Sequence, residues 1–202
     1  MHRRQLLRGM SALAIAASLA GCRPAAPAFH ATDLGRSGLS GELPANFRDF
    51  HGRPWHLADF RGRIVLLFFG YTTCPDVCPT ALAKYAGLLA QPGLGPDRVQ
   101  VVFVTLDPER DTPARLAGYV PWFHPSFLGL HADPATTAAA ARAFRVTAIR
   151  RESASGTGYT LDHSAGAYVF DPRGRLRLHV AENARMAEIV ADLQTLLAED
   201  AR

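Results

Sequence analysis

The sequence is short of several residue types, and each shortage removes a class of function. Among its 202 residues are only three cysteines, three methionines and two tryptophans. Three methionines cannot build a methionine-rich metal-binding box, and Met186, the one methionine beyond residue 10, falls on the core stripe of a helical pattern. Beyond the first 20 residues no apolar run approaches the roughly 20 residues that cross a bilayer, and the longest, Ile64 to Gly70, is strand-sized, which excludes a channel or transporter. Internal repeats are absent. With 48% hydrophobic and 20% charged residues the chain has the composition of one globular domain rather than of a disordered or coiled-coil chain.

The charge gives no nucleic-acid signal. The formal net charge is +4, but Arg3, Arg4 and Arg8 belong to a leader-like segment, and without them 19 basic residues face 18 acidic ones. The remaining basic residues are scattered and not interleaved with aromatics, so nucleic acid is excluded as a partner.

The leader, residues 1–21, has a basic start from Met1 to Arg8 and an Ala/Leu-rich stretch from Ser11 to Ala20, the pattern of an export signal. Arg3-Arg4-Gln5-Leu6-Leu7-Arg8 also resembles a twin-arginine signal. Leu19-Ala20-Gly21-Cys22 resembles the lipobox of bacterial lipoproteins, which implies cleavage before Cys22 and acylation there. Residues 22–44, rich in Ala, Pro, Gly and Ser, read as a flexible tether holding the domain of residues 45–202 at the outer face of a bacterial membrane. Lipidation of Cys22 leaves Cys74 and Cys78 in an oxidising compartment, as a disulfide or as a site.

From Asn46 the pattern is α/β. Phe47 to Phe50 and Trp55 to Leu57 flank a turn and suggest a small N-terminal hairpin. Ile64 to Phe69 reads as a central strand covered on both faces, followed by a helix over 79–90 carrying Leu82, Tyr85, Ala86 and Leu89. Val99 to Thr105 is a second strand. Asp111 or Thr112 then caps a helix opened by Pro113, with Ala114, Ala117 and Val120 on its buried face. Phe127 to Leu130 is a third strand, and Asp133-Pro134 opens an Ala-rich helix reaching Phe144. A polar, mobile loop covers 150–158, a hairpin turns at Asp171-Pro172-Arg173-Gly174, and Asn183 to Leu197 closes as an amphipathic helix. This order predicts a mixed central sheet with helices on both faces, and a site at the carboxyl end of the strand ending at Phe69.

Cys74 and Cys78 fall at that end, where a helix N-terminus favours the thiolate. If the helix begins near Cys74, the i, i+4 spacing sets both sulfurs on one face, close enough to hold one ion or to form a disulfide. Two thiolates suit Cu(I), Zn(II) or a similar soft ion, but a selective site needs a third ligand. His163 is the best placed, ending the mobile loop just before the hairpin, whereas the six other histidines beyond residue 22 read as structural. Asp76 either touches a metal or the thiols or only complements the helix dipole, and Asp162 either orients His163 or caps a turn. Asp107 and Asp111 look like a carboxylate pair, but their surroundings favour turn and cap roles.

Three stretches together resemble the SCO/SenC family: Gly70-Tyr71-Thr72-Thr73-Cys74-Pro75-Asp76-Val77-Cys78-Pro79, Val104 to Pro113, and Asp162-His163-Ser164 followed by Tyr168 to Gly174. The likeness runs from about Leu43 to Leu197. It implies a thioredoxin-like fold and a membrane-tethered metallochaperone that serves the dinuclear copper centre of cytochrome c oxidase subunit II. Cys74, Cys78 and His163 are then the ligands of one copper ion, carried as Cu(I) or Cu(II), with other periplasmic copper carriers or thiol reductants as further partners. Neighbouring families fit less well: a peroxiredoxin-type site wants Thr where Tyr71 stands, and a general dithiol oxidoreductase has Cys-x-x-Cys and a cis-proline where this chain has Ser164-Ala165. The competing function is a thiol-disulfide reductase or redox sensor working through Cys74 and Cys78 on the oxidase's copper-ligand cysteines. A structural lipoprotein with a stabilising disulfide makes no use of His163.

The anchor has a direct test. Cys22→Ser is expected to release the domain from membranes in soluble form or to leave the precursor uncleaved, as read by fractionation and intact mass. Unchanged cleavage and unchanged membrane retention would exclude Cys22 as the anchor.

Overall fold

The computed structural model describes residues 28–152 and 158–201. The leader, Cys22 and the start of the expected tether lie outside the described residues. In chain order the elements are β1 (Thr32–Asp33), β2 (Arg48–Asp49), β3 (Ile64–Gly70), α1 (Val77–Leu89), β4 (Val99–Thr105), α2 (Pro113–Phe123), β5 (Leu128–His131), α3 (Pro134–Ala143), β6 (Ala148–Glu152), β7 (Tyr159–His163), β8 (Gly166–Phe170), β9 (Leu176–Ala181) and α4 (Met186–Asp200).

Strands β3 and β4 form the spine because every residue of both is buried, as the apolar run of β3 requires, while the two polar residues of β4 are buried with partners, Gln100 Nε2 donating to the Ser126 carbonyl at 2.7 Å and Thr105 Oγ1 to Asp111 at 2.6 Å. They pair in parallel from Ile64 opposite Val99 to Gly70 opposite Thr105. The sheet order is β1-β9-β8-β3-β4-β5-β2, parallel at β3–β4 and β4–β5 and antiparallel elsewhere. Alternation along β3 divides the core. Ile64, Leu66 and Phe68 face α1, α2 and α4 through Leu82, Tyr85, Leu116, Val120, Ile189 and Leu193. Val65, Leu67 and Phe69 face α3 and the N-terminal segment through Ala140, Phe144, Phe47 and Trp55. Helices thus cover both faces, as predicted.

The same short device makes two of the reversals. In Asp49-Phe50-His51-Gly52-Arg53 and in Asp171-Pro172-Arg173-Gly174-Arg175 the leading carboxylate accepts the backbone N–H groups two and four residues on, at 2.9 to 3.1 Å, and the Nε of the closing arginine at 2.8 Å. Gly52 and Gly174 take φ of 81° and 72°, where a side chain would be strained. The first reversal is the expected N-terminal hairpin, with Trp55 N–H donating to the Phe47 carbonyl at 3.0 Å. Its second arm is only a bridge at Pro54, because Leu57–Phe60 coils into a 3-10 turn, and β2 instead extends the sheet edge beside β5.

Three expectations change on contact with the structure. Residues 150–158 are not all loop: Ala148–Glu152 and Tyr159–His163 form a two-stranded antiparallel ribbon apart from the main sheet. The strand signal is period two, since Tyr159, Leu161 and His163 turn inward while Thr160 and Asp162 are exposed. On α2 the buried positions are Leu116 and Val120, while Ala114 and Ala117 are exposed, because the two larger side chains, four residues apart, form the face that packs on the core. The described part of the 22–44 segment lies against the domain: β1 pairs with β9, and Phe29, Ala31, Leu34, Leu39 and Leu43 pack on the core.

That N-terminal docking depends on one buried carboxylate. Asp192, 2% exposed on α4, accepts the backbone N–H groups of His30 (2.9 Å) and Ala31 (2.8 Å) and lies 2.9 Å from His30 Nδ1. Asp192→Ala strands those donors and is expected to cost about 2 kcal/mol, with amide exchange accelerating first at residues 30–34. Unfolding at wild-type denaturant concentration would show that the segment contributes nothing to stability.

Candidate metal centre

The Cys74–Cys78 segment leaves the carboxyl end of β3 and enters α1. Helix α1 starts at Val77, so Cys78 lies in its first turn and Cys74 in the preceding loop, a later start than the i, i+4 reading assumed. The geometry is no less favourable, because Cys74 Sγ accepts the backbone N–H of Cys78 at 3.4 Å. Asp76 occupies the N-cap position, but its carboxylate makes no cap hydrogen bond and instead accepts Thr80 Oγ1 at 3.4 Å.

Below the loop, Gly70 is dictated by space. A β-carbon there would sit 2.8 Å from Cys78 Sγ and 2.8 Å from the Phe103 ring. From above, buried Asp111 holds the loop, accepting Thr72 N–H (3.0 Å), Thr72 Oγ1 (2.5 Å) and Thr105 Oγ1 (2.6 Å). Asp111 is therefore an anchor for the cysteine loop rather than a helix cap. Asp107 is likewise committed, to the Arg110 guanidinium and to Tyr159 Oη at 2.7 Å.

The ribbon brings the third residue. His163 ends β7, and its Nε2 lies 3.4 Å from Cys78 Sγ. Its Nδ1 faces the Ser164 carbonyl at 3.1 Å, and since a carbonyl only accepts, Nδ1 carries the hydrogen and Nε2 is left toward the sulfurs. Tyr71 and Phe68 meet the imidazole edge to face, at ring separations of 5.7 and 6.3 Å, and Tyr71 Oη accepts Leu161 N–H at 3.2 Å. The backbone carbonyl takes the orienting role expected of Asp162, whose carboxylate points outward to Arg151 Nε at 2.8 Å. Tyr71, Asp111 and the Ser164 carbonyl were not identifiable as site groups from the sequence, and only the alternation of Tyr159, Leu161 and His163 hinted that β7 presents one face to the site.

The ligand atoms of Cys74, Cys78 and His163 all lie within 4.8 Å of one another, and among the described residues no other group of three such side chains converges. Around an ion with bonds of roughly 2.0 to 2.3 Å, three ligand atoms stand about 4 Å apart, so small movements close the site. Cys74 is half-buried and Cys78 buried, and both are free thiols. The Cys78 thiol donating to Cys74, with the Cys78 and Asp76 backbone N–H groups assisting, holds Cys74 well below the usual thiol range. The same contact, with burial and the Asp111 charge, pushes Cys78 up. One sulfur is thus a thiolate at neutral pH and the other keeps its proton.

A model of the SCO1/SenC family matches residues 43–198. The chain belongs to the SCO1/SenC family. It is 40% identical over 165 residues to the mitochondrial SCO2 homolog of Bos taurus, covering 80% of this chain and 61% of that one, so it spans about three-fifths of that relative's length. Among solved structures it resembles Bradyrhizobium japonicum ScoI with copper bound, at 38% identity and a TM-score of 0.67 over 75% of this chain and 96% of that one. Copper-bound yeast Sco1 is also similar, at 30% identity and a TM-score of 0.66 over 75% and 84%. The seven-stranded mixed sheet flanked by helices is the thioredoxin-like architecture of these SCO proteins, and Cys74, Cys78 and His163 form its candidate copper site.

The unequal thiols make a pH prediction. A depressed pKa keeps Cys74 ionised from pH 8 down through pH 6, where an ordinary thiol of pKa about 8.5 is less than 1% thiolate. Iodoacetamide should therefore label Cys74 well ahead of Cys78 at pH 6, with a rate nearly flat up to pH 8, as read by peptide mass. Equal labelling with a rate rising tenfold per pH unit would overturn the assignment.

Proposed function

We propose that the reduced chain carries one copper ion on Cys74, Cys78 and His163 and delivers it to the dinuclear copper centre of cytochrome c oxidase subunit II. The observation that carries this reading is the aim of His163 Nε2 at the sulfur pair, fixed by its Nδ1–H on the Ser164 carbonyl. Two soft thiolates and one imidazole suit Cu(I), and three ligands leave room for an incoming one. A cavity of about 360 Å³ bounded by Tyr71, Cys74, Pro75, Thr160 and His163 opens onto the site. An acceptor thiolate entering there meets half-buried Cys74 first, while buried Cys78 and the ribbon's His163 hold the ion until it is shared.

The proton inventory fits capture and release. Copper binding costs the site essentially the Cys78 proton, since Cys74 is already ionised, and protonation of Cys78 favours release. Oxidation to a Cys74–Cys78 disulfide removes both thiolates, so reductants control loading. Dithiol exchange as the main activity needs no imidazole aimed at the pair, which is why the reductase reading ranks second. In this proposal Cys22 carries the lipid anchor and Asp76 tunes Cys74 through its backbone N–H, the protein working at the outer face of the bacterial cytoplasmic membrane alongside other periplasmic copper carriers.

The test pairs two measurements on wild type and His163→Ala: anaerobic Cu(I) competition against a chelator, and redox titration of the cysteine pair. Expected are one Cu(I) per reduced wild-type chain, little binding after oxidation, and a loss of at least about tenfold in affinity in His163→Ala with a nearly unchanged potential. Unchanged affinity with a large shift in potential would favour the reductase instead.

A further inference from the structure

The turn Asp107-Pro108-Glu109-Arg110-Asp111, at the carboxyl end of β4, touches both halves of the metal site. It is closed on itself by Asp111 N–H and Arg110 N–H, which donate to the Asp107 carbonyl at 2.8 and 3.2 Å. It is joined to the spine by Asp107 N–H on Thr105 Oγ1 at 2.9 Å and by Leu106 N–H on the Gly70 carbonyl at 2.7 Å. Its last residue, Asp111, holds the cysteine loop through Thr72.

Two other residues of the turn reach the arm that carries His163. Asp107, 4% exposed, accepts Tyr159 Oη at 2.7 Å and pairs with Arg110 Nε. Arg110 Nη1 donates to the Tyr159 carbonyl at 2.7 Å, and the guanidinium carbon lies 3.5 Å from the centre of the Tyr159 ring. The Arg150 guanidinium, from β6, lies 3.6 Å from the same ring centre, so the two cations take opposite faces of the ring. Arg110 Nη2 is buried without a hydrogen-bond partner, a cost which shows that the guanidinium is oriented for Asp107 and Tyr159 rather than for its own satisfaction. Tyr159, Leu161 and His163 share the inward face of β7. At about 3.3 Å per residue, His163 stands only about 13 Å along the strand from the clamped Tyr159.

We infer that this turn sets the spacing between the thiols and the imidazole, and that Arg110 is a positioning residue for His163. Asp111 fixes the cysteine side and Arg110 with Asp107 fixes the histidine side, so both are referred to one closed turn on the spine. Arginine suits the task because one planar group donates in two directions and stacks on a ring, which a lysine ammonium does not do. Without the clamp His163 samples a wider range of positions, which weakens ion binding although no ligand is lost. The effect on affinity rests on the copper reading, whereas the clamp itself is measurable without metal.

The test pairs amide hydrogen exchange of the reduced, metal-free protein with anaerobic Cu(I) competition. In Arg110→Gln, exchange should accelerate at residues 159–163 and stay unchanged along β3 and β4, and Cu(I) affinity should fall about tenfold. Arg110→Lys keeps the charge but not the planar fork and should lose nearly as much. Tyr159→Phe removes one hydrogen bond, keeps the stack and should lose about threefold, which keeps the test open if Arg110→Gln fails to fold. In a His163→Ala background, Arg110→Gln should change affinity by less than about twofold, because a residue acting through the imidazole has nothing left to position. Unchanged exchange at 159–163, unchanged affinity in Arg110→Gln, full affinity in Arg110→Lys, or an equal loss in both backgrounds would each overturn the inference. Wild-type affinity no better than that of His163→Ala would instead overturn the copper reading, and the clamp would then stand or fall on the exchange at 159–163.

Discussion

The close approach of the Cys78 sulfur to the backbone of Gly70 is the contact on which the rest of the site depends. A buried strand ends in the one residue without a β-carbon, and the first turn of the next helix settles its sulfur into the vacated space. Once that sulfur is fixed, the position of Cys74 follows from the N–H it accepts, and both are held from the other side by Asp111 through Thr72. The thiol pair is therefore set by the most rigid part of the molecule, the β3–β4 spine and the helix leaving it.

His163 is held differently. It arrives on a ribbon outside the main sheet, tied to the domain by Tyr71 Oη accepting Leu161 N–H, by the Arg110 guanidinium on the Tyr159 carbonyl at 2.7 Å and by Tyr159 Oη donating to Asp107 at 2.7 Å. These polar links are fewer and more exposed than the core around Cys78, and such elements open at lower free energy than core strands. With a rigid thiol pair and an imidazole on a separate arm, one of the three candidate ligands can move without disturbing the other two.

Most of the fold was legible because its signals are local or periodic. The apolar run of β3, the Val- and Phe-rich β4, the Pro-opened helices α2 and α3 and the Asp-Pro-Arg-Gly turn each announce themselves in consecutive residues. What was misread is equally physical. Ala148–Glu152 is exposed along its whole length and carries no alternation to betray a strand, so only its pairing partner makes it one. Residues 30–43 look like a linker by composition, and what docks them is a carboxylate on α4, 161 residues away from Ala31.

The chemistry is written in residue types and their spacing: two cysteines at a strand-to-helix turn, a histidine ahead of the last hairpin, and the three stretches that place the chain in the SCO1/SenC family. Tertiary structure alone decided how those side chains meet. It brought His163 to Cys78 across 85 residues, gave the orienting role to the Ser164 carbonyl rather than to Asp162, and made the two thiols unequal through one shared proton. Residue type and spacing fix what a group can do, whereas burial, hydrogen-bond direction and long-range contact arise only when distant segments pack against one another.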